Sequence, residues 1–308
     1  MVLKMEGFSN QNMDYITQVS KDSVLVHNFN YKPKVSFCIP TKNEGKYIKK
    51  CLDSILAQNY SDIEIVVVDG YSTDDTVKIA KEYGCKVYYD PVSLANSRQI
   101  SIEKSSGEIL AIWDADIIIP HENWLKNAVK CFKLSEQVST VWPRIIAPSS
   151  GPWTQKCNRA HSNFVFKYRI KRVSGVFGGG NALFRRQHVS SVGSFDTSYN
   201  FGEDMILAKR LKDAGYVVIE YEEPLIHDTM DSLKAIYKRS LWGAQAFKLN
   251  GMEFYQQSKF DIFKEHYFLG LKGMFCGIFK GDFYWITYPA ILFVKSLAYS
   301  KNILLARR

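Results

Sequence analysis

An α/β fold built on a mostly parallel sheet is predicted by two features of the sequence. From Lys34 onward, short apolar runs alternate with segments of helical spacing, and the runs are apolar on both faces, as strands covered by helices must be. Strands joined through helices pair in parallel with right-handed crossovers, and the ligands of such sheets lie beyond the carboxyl ends of the strands. The places to search for chemistry are therefore Pro40 to Glu44, Asp69 to Asp74 and Asp114 to Asp116.

The elements follow in order. Val35 to Ile39 is an apolar run ending at Pro40, and Gly45 to Leu56 has helical spacing in Tyr47, Ile48, Cys51, Leu52 and Ile55. Ile63 to Val68 is a continuous apolar strand. A helix at Asp74 to Tyr83, a strand at Lys86 to Tyr89, a helix at Leu94 to Lys104 and a strand at Ile109 to Trp113 continue the alternation. Asn123 to Leu134 is expected to be helical and Val138 to Ile146 a strand, followed by a loop with Pro148, Gly151 and Pro152. Gly178 to Phe184 is a glycine-rich approach to a strand. Gly202 to Ala214 reads as a helix ended by Gly215, with a strand at Tyr216 to Ile219 beyond it. Residues 1–33 show no sustained period and stand as an N-terminal extension before a catalytic domain at 34–232; residues 233–308 form a distinct tail.

Composition narrows the class. The 308 residues carry 40 Lys+Arg against 31 Asp+Glu, with 46% hydrophobic and 23% charged, which excludes disorder or low complexity as a description of the whole. The start of the chain lacks a basic stretch followed by an apolar one, so a cleaved secretion signal is not expected. Cys38, Cys51, Cys85, Cys131, Cys157 and Cys276 lack metal-ligand spacing and read as reduced core thiols of an intracellular protein. The charge is uneven. Leu233 to Arg308 holds 12 Lys+Arg against 4 Asp+Glu, hence +8 of the total +9, and 17 of the 43 aromatic residues.

Three acidic motifs stand out. Asp114-Ala115-Asp116 follows an apolar strand; on extended backbone its two carboxylates point the same way, and paired oxygens suit a hard divalent cation bridging a diphosphate. The plainer alternative is a turn with solvated aspartates. Glu203-Asp204 opens a helix, where the macrodipole alone favours carboxylates; the functional reading makes Asp204 a general base. Val68 to Asp74 ends a strand in turn-formers, with Asp74 or Thr73 as a helix cap, while Asp69 on the strand end is placed to receive a base or ribose hydrogen bond. Pro40-Thr41-Lys42-Asn43-Glu44 is likewise a cap or a nucleotide-contacting loop.

In this order the motifs resemble the family 2 glycosyltransferases with a GT-A fold, from Val35 to about Thr229. The matching stretches are Val35 to Glu44, Glu64 to Asp69, Gly107-Glu108 before Asp114-Ala115-Asp116, and Gly193-Ser194-Phe195-Asp196 before Gly202-Glu203-Asp204. The resemblance implies a Rossmann-like sheet flanked by helices and inverting transfer of a sugar from a UDP- or GDP-linked donor with Mg2+ or Mn2+. It implies that Pro40, Thr41 and Glu44 hold base and ribose, that Asp69 binds the base, and that Arg98 lies near base or phosphates. Asp114, with Ala115, would contact ribose or metal, Asp116 would be the principal metal ligand, and His227 a further one. Asp204 would deprotonate the acceptor, with Gly179, Gly180, Asn181 and Glu203 on the acceptor side. Gly70 stands where the family often has a second aspartate, and the QxxRW motif of processive synthases is absent, which implies transfer of one sugar at a time.

Other readings are a nucleotidyltransferase, a dehydrogenase and a non-catalytic nucleotide-sugar binder or membrane scaffold. The first two want glycine-rich signatures after the first strand that Pro40 to Glu44 does not supply. The tail is expected to be helical: Leu233 to Asn250 as an amphipathic helix with Tyr237, Leu241, Ala244 and Phe247 in a stripe. Its longest uncharged run, Phe283 to Val294 with Pro289 inside, is short of the ~20 residues that span a bilayer. Basic and aromatic residues together point to the cytoplasmic face of the cell membrane and to a saccharide or polyprenyl-phosphate-linked acceptor, with no nucleic acid as partner. The competing expectation is that these aromatics pack back onto the catalytic domain.

Overall fold

The computed structural model describes residues 16–19, 31–160, 180–199, 202–228, 231–243, 268, 271–275, 277–279, 281 and 283–305. The chain divides into two compact units, one of residues 1–145 with 173–226, the other of 146–172 with 227–308. The second unit thus takes in a segment from the middle of the chain besides the expected tail.

In the first unit the strands are β1 (Ile16–Val19), β2 (Val35–Thr41), β3 (Ile63–Asp69), β4 (Lys86–Tyr89), β5 (Ile109–Ile112), β6 (Ile117–Ile118), β7 (Val138–Ile146), β8 (Ala182–Arg185) and β9 (Val217–His227). They form one sheet in the order β1-β9-β7-β8-β5-β2-β3-β4, with β6 paired to β9. β2 is parallel to both β3 and β5, β3 to β4, and β1 to β9. β8 runs antiparallel to β5 and β7. β1 is a strand within the stretch where the sequence shows no period. β9 extends eight residues past its expected end: Tyr221 and Leu225 are buried, while Glu220 before them and Glu222, Glu223 and Pro224 between them mask the apolar pattern.

Helices cover both faces. On one side Val35, Phe37 and Ile39 of β2 pack with α1 (Ile48–Leu56), α2 (Thr76–Glu82) and α4 (Trp124–Lys130). On the other, Cys38 of β2 with Leu110 and Ile112 of β5 meets α3 (Leu94–Glu103), α5 (Arg186–Ser191) and α6 (Glu203–Asp213). The alternation along β2 and β5 is the two-sided burial that marks a covered parallel strand. The chain moves outward from β2 through β3 to β4 and then returns to place β5 on β2's other side. The switch point of the sheet thus lies between β2 and β5, the place where sheets of this kind take their ligands.

At the opposite ends, Glu64 ties the strands together. Its carboxylate accepts from Ser36 Oγ at 2.6 Å, Ser106 N at 2.5 Å, Gly107 N at 3.1 Å and Lys86 Nζ at 2.9 Å. Burial works against its ionised form, yet these donors outweigh burial and hold the carboxyl well below the usual range. The five described cysteines are free thiols, all but Cys85 buried. Burial pushes Cys38 up to about 11 and Cys131 up to about 12, as expected of inert core thiols.

In the second unit α7 (Leu233–Gly243) packs on α8 (Tyr288–Leu305), around Cys157, Ile236, Trp285, Tyr288 and Ile291. The buried line of α7 runs through Ile236 and Ser240, so Tyr237 and Leu241, expected in the packed stripe, are half-buried; Ala244 and Phe247 lie outside the described side chains. A Cβ on Gly277 would stand 2.0 Å from the Trp285 ring, which explains a glycine there.

Candidate active site

The loops after β2 and β3 are laced together. Register places Thr41 opposite Asp69. Asp69 is fully buried, and its carboxylate accepts from Thr41 Oγ1 at 3.0 Å, Ser72 N at 2.7 Å and Ser72 Oγ at 2.5 Å. In this arrangement it shapes the loop expected to frame the base. Asn43 N donates to Ser72 Oγ, and Asn43 Oδ1 accepts from Thr73 N. Glu44 is half-buried, with its amide on Thr76 Oγ1 at 2.8 Å. Pro40 is paired with Val68, one position before the end of the paired stretch. Asp74 or Thr73 is the expected cap before α2; the N-cap position is Asp75, whose side chain makes no cap bond, while Asp74 Oδ1 accepts from Thr76 N at 3.1 Å.

Beyond β5 an aromatic ladder fixes the chain. Phe37, Trp113, Trp124 and Tyr221 meet edge to face at 5.3, 5.9 and 5.6 Å, and Trp124 Nε1 donates to the Glu223 carbonyl. Asp114 to Asp116 then forms a turn, in which Ile117 N donates to the Asp114 carbonyl at 3.3 Å. The extended backbone expected for this motif is not present, so strand alternation does not aim its carboxylates; the turn does. Ala115, expected near the donor, is 3% exposed and packs in the core, leaving the flanking aspartates as its polar parts.

Asn181 reaches this turn from the segment before β8. Its Oδ1 accepts from Asp114 N at 2.7 Å and its Nδ2 donates to Asp114 Oδ2 at 2.8 Å, while its backbone sits at φ +60°, a region Asn tolerates better than most. Asn181, expected on the acceptor side, grips Asp114. The preceding Gly180 N donates to Asp204 Oδ2 at 3.1 Å, and Asp204 Oδ1 takes Met205 N at 2.9 Å. A Cβ on Gly180 would lie 3.4 Å from Arg98 Nη2 and 3.7 Å from Asp204 Oδ2, so this residue lies between the two groups.

Arg98 on α3 completes the set. It is 4% exposed, pairs through Nη1 with Glu203 Oε1, and reaches Asp114 Oδ1 through Nη2 at 3.3 Å. Burial pulls the guanidinium down, and Glu203, Asp114 and Asp204 more than offset it, holding the group charged. Burial pushes Glu203 up, with Arg98 opposing and Asp204 adding to the rise. Three carboxylates around one guanidinium account for the rise at Arg98, and burial accounts for the rise at Glu203. Glu203, expected to face the acceptor, is 2% exposed and spends its carboxylate on Arg98.

Residues from four separate stretches, Arg98, Asp114, Gly180-Asn181 and Glu203-Asp204, thus meet. The joint role of Arg98 and Glu203 had no signal in either residue's neighbours; a lone buried-pattern arginine on an α3 face with Ala95 and Ile102 was the available hint. Asp116 lies in the same turn as Asp114 and is 8% exposed. Among the described residues no group of three His, Cys, Asp or Glu side chains is arranged to hold a metal. His227 closes β9 at the start of the second unit. Gly179 lies outside the described residues.

A family model described as Glycosyl transferase family 2 matches residues 36–193, just over half of the chain. The chain belongs to the family 2 glycosyltransferases. This glycosyltransferase is 32% identical over 197 residues to the glycosyltransferase AglE of Haloferax volcanii, covering 60% of this chain and 63% of AglE. It is 31% identical over 109 residues to the dolichyl N-acetyl-alpha-D-glucosaminyl phosphate 3-beta-D-2,3-diacetamido-2,3-dideoxy-beta-D-glucuronosyltransferase of Methanococcus voltae, 32% of this chain and 34% of that enzyme. The chain therefore spans less than two thirds of the length of these curated relatives. Among solved structures, the mannosyltransferase PcManGT from Pyrobaculum calidifontis, in complex with GDP-Man and Mn2+, matches with a TM-score of 0.55 at 20% identity, covering 92% of this chain and 81% of that one. The GT-A class expected from the sequence is borne out.

Proposed function

We propose that this glycosyltransferase moves a single sugar, with inversion, from a nucleoside-diphosphate donor to a hydroxyl or phosphate acceptor, with Asp204 as the general base. The observation that carries the reading is the convergence of Asp114 and Asp204 through Gly180-Asn181 and Arg98 at the carboxyl ends of the strands. Two backbone amides hold the Asp204 carboxylate in one orientation, and an ionised carboxylate only accepts, so it is suited to take the proton of an attacking hydroxyl. Arg98 supplies fixed positive charge beside Asp114, where a departing diphosphate gathers negative charge.

The donor set fits Mg2+ or Mn2+ in one respect. Such ions need only one or two carboxylates when substrate phosphates supply the rest, so the lack of a three-residue cage among the described residues does not count against one. Asp116 is the residue to hold it, since Asp114 already serves Arg98 and Asn181. A bound ion would supply Lewis-acid neutralisation of the diphosphate. PcManGT with GDP-Man and Mn2+ supports a donor and an ion of this kind.

The acceptor we place on a lipid, at the cytoplasmic membrane surface. The activity named for the Methanococcus voltae relative, on a dolichyl-linked phosphate sugar, supports this, as does α8. Its inward line of Tyr288, Ile291 and Ala298 is buried, yet its outward line is also apolar: Phe293 is 64% and Leu297 48% exposed, preceded by Phe283 at 68% and Ile286 at 56%. A helix apolar on both sides needs a second apolar environment, and the +8 charge of residues 233–308 favours an anionic one. No described helix is long and apolar enough to cross a membrane.

The test is transfer with a panel of UDP- and GDP-sugars with Mn2+, comparing wild type with Asp204→Asn. Turnover should fall at least about 1,000-fold with donor affinity changed less than about threefold. Undiminished turnover in Asp204→Asn would refute the assignment.

A further inference from the structure

At the carboxyl ends of β3 and β4 two exposed tyrosines stand together. Tyr71 is 60% and Tyr89 46% exposed, with ring centroids 5.5 Å apart and planes inclined by 35°. Register puts Tyr89 beside Asp69, and Asp69 beside Thr41, so the pair lies along the line of strand ends that frames the donor site. Tyr71 has φ +59°, in the left-handed region that a ring-bearing L residue occupies only where its surroundings impose it. Those surroundings are present on both sides: Gly70 N donates to the Thr41 carbonyl at 2.8 Å, and Ser72 is bound to buried Asp69 through both its amide and its hydroxyl. The clamped backbone holds the Tyr71 ring outward, in water, at a conformational cost that glycine at 71 would avoid.

We propose that Tyr71 and Tyr89 form a stacking platform for the planar base of the nucleoside-diphosphate donor. The inference rests on the reading of these strand ends as a donor site, and adds to it residues that the family motifs do not assign. An aromatic ring offers every base a π face, so the platform supplies affinity while the polar atoms around Asp69 and Thr41 are left to order the loops.

Titration calorimetry with UDP, GDP and inorganic pyrophosphate, each with Mn2+, tests this on the full chain. Tyr71→Ala should weaken the preferred nucleotide about tenfold and Tyr71→Phe should retain it, as stacking predicts, while pyrophosphate binding stays within about twofold. Tyr89→Ala should show the same selectivity more weakly. Tyr71→Gly guards against misfolding: its thermal unfolding midpoint should lie above that of Tyr71→Ala, with nucleotide affinity equally reduced. Wild-type nucleotide binding with no loss in Tyr71→Ala, or an equal loss for pyrophosphate, overturns the platform and leaves the donor site standing. Binding of neither nucleotide nor pyrophosphate by wild type overturns the donor-site reading and the platform with it.

Discussion

Replacing Arg98 by methionine is expected to destabilise the first unit by about 3–5 kcal/mol, and the figure comes from one contact. Glu203, 2% exposed, would be left as a buried carboxylate without its cation. Asp114 also loses Arg98, but its side chain is 30% exposed and keeps Asn181, so that loss adds less than about 1 kcal/mol. Burial and Asp204 already push the Glu203 carboxyl up, and Arg98 is what opposes them. Without it the folded protein takes up a proton there that the unfolded chain releases, so stability falls as pH rises. The deficit of Arg98→Met should therefore be larger at pH 8 than at pH 5. The assay is equilibrium urea unfolding with chelator present, on Arg98→Met, Glu203→Leu and the double variant. Because a buried pair replaced by apolar groups is often near neutral, the double variant should recover at least about 2 kcal/mol over the sum of the single losses. Additive losses, or an Arg98→Met protein as stable as wild type, would refute the pairing.

Asp116→Ala should abolish the Mn2+-dependent part of nucleotide affinity in calorimetry; an unchanged affinity would remove Asp116 from the ion site. His188 is stacked on Tyr216 at 3.9 Å with its Nδ1 buried and unbonded, and burial, then Arg185, pushes it from 6.5 down to about 4. Between these values the unfolded chain binds a proton the folded one refuses, so stability drops by up to about 3 kcal/mol as pH falls from 6.5 to 4. His188→Phe should flatten that slope in unfolding midpoints, and an unaltered slope would count against it. The intact protein should float with anionic vesicles and not with neutral ones, and Phe293→Glu should weaken flotation; equal behaviour on both vesicle types would remove the membrane reading.

Most of the sheet was legible because its strands are two-sided apolar runs, and burial on both faces writes itself into residue type. β2, β3, α1, α3 and β5 fall where periodicity put them, and the order of the acidic motifs sufficed for the family. What escaped was decided by partners far away in sequence. The full length of β9 depends on neighbours that bury Tyr221 and Leu225 between charged residues, and β1 on finding β9's edge. Asn181 and Glu203 look like surface polar residues until the fold brings Asp114 and Arg98 to them. Local pattern records how much of a side chain must leave water, and so the sequence by itself determined the layers and the strand ends at which chemistry collects. Which carboxylate is gripped by Asn181, which is paired with Arg98 and which is held by two backbone amides depends on directions and distances between remote segments, and only the tertiary structure decided that.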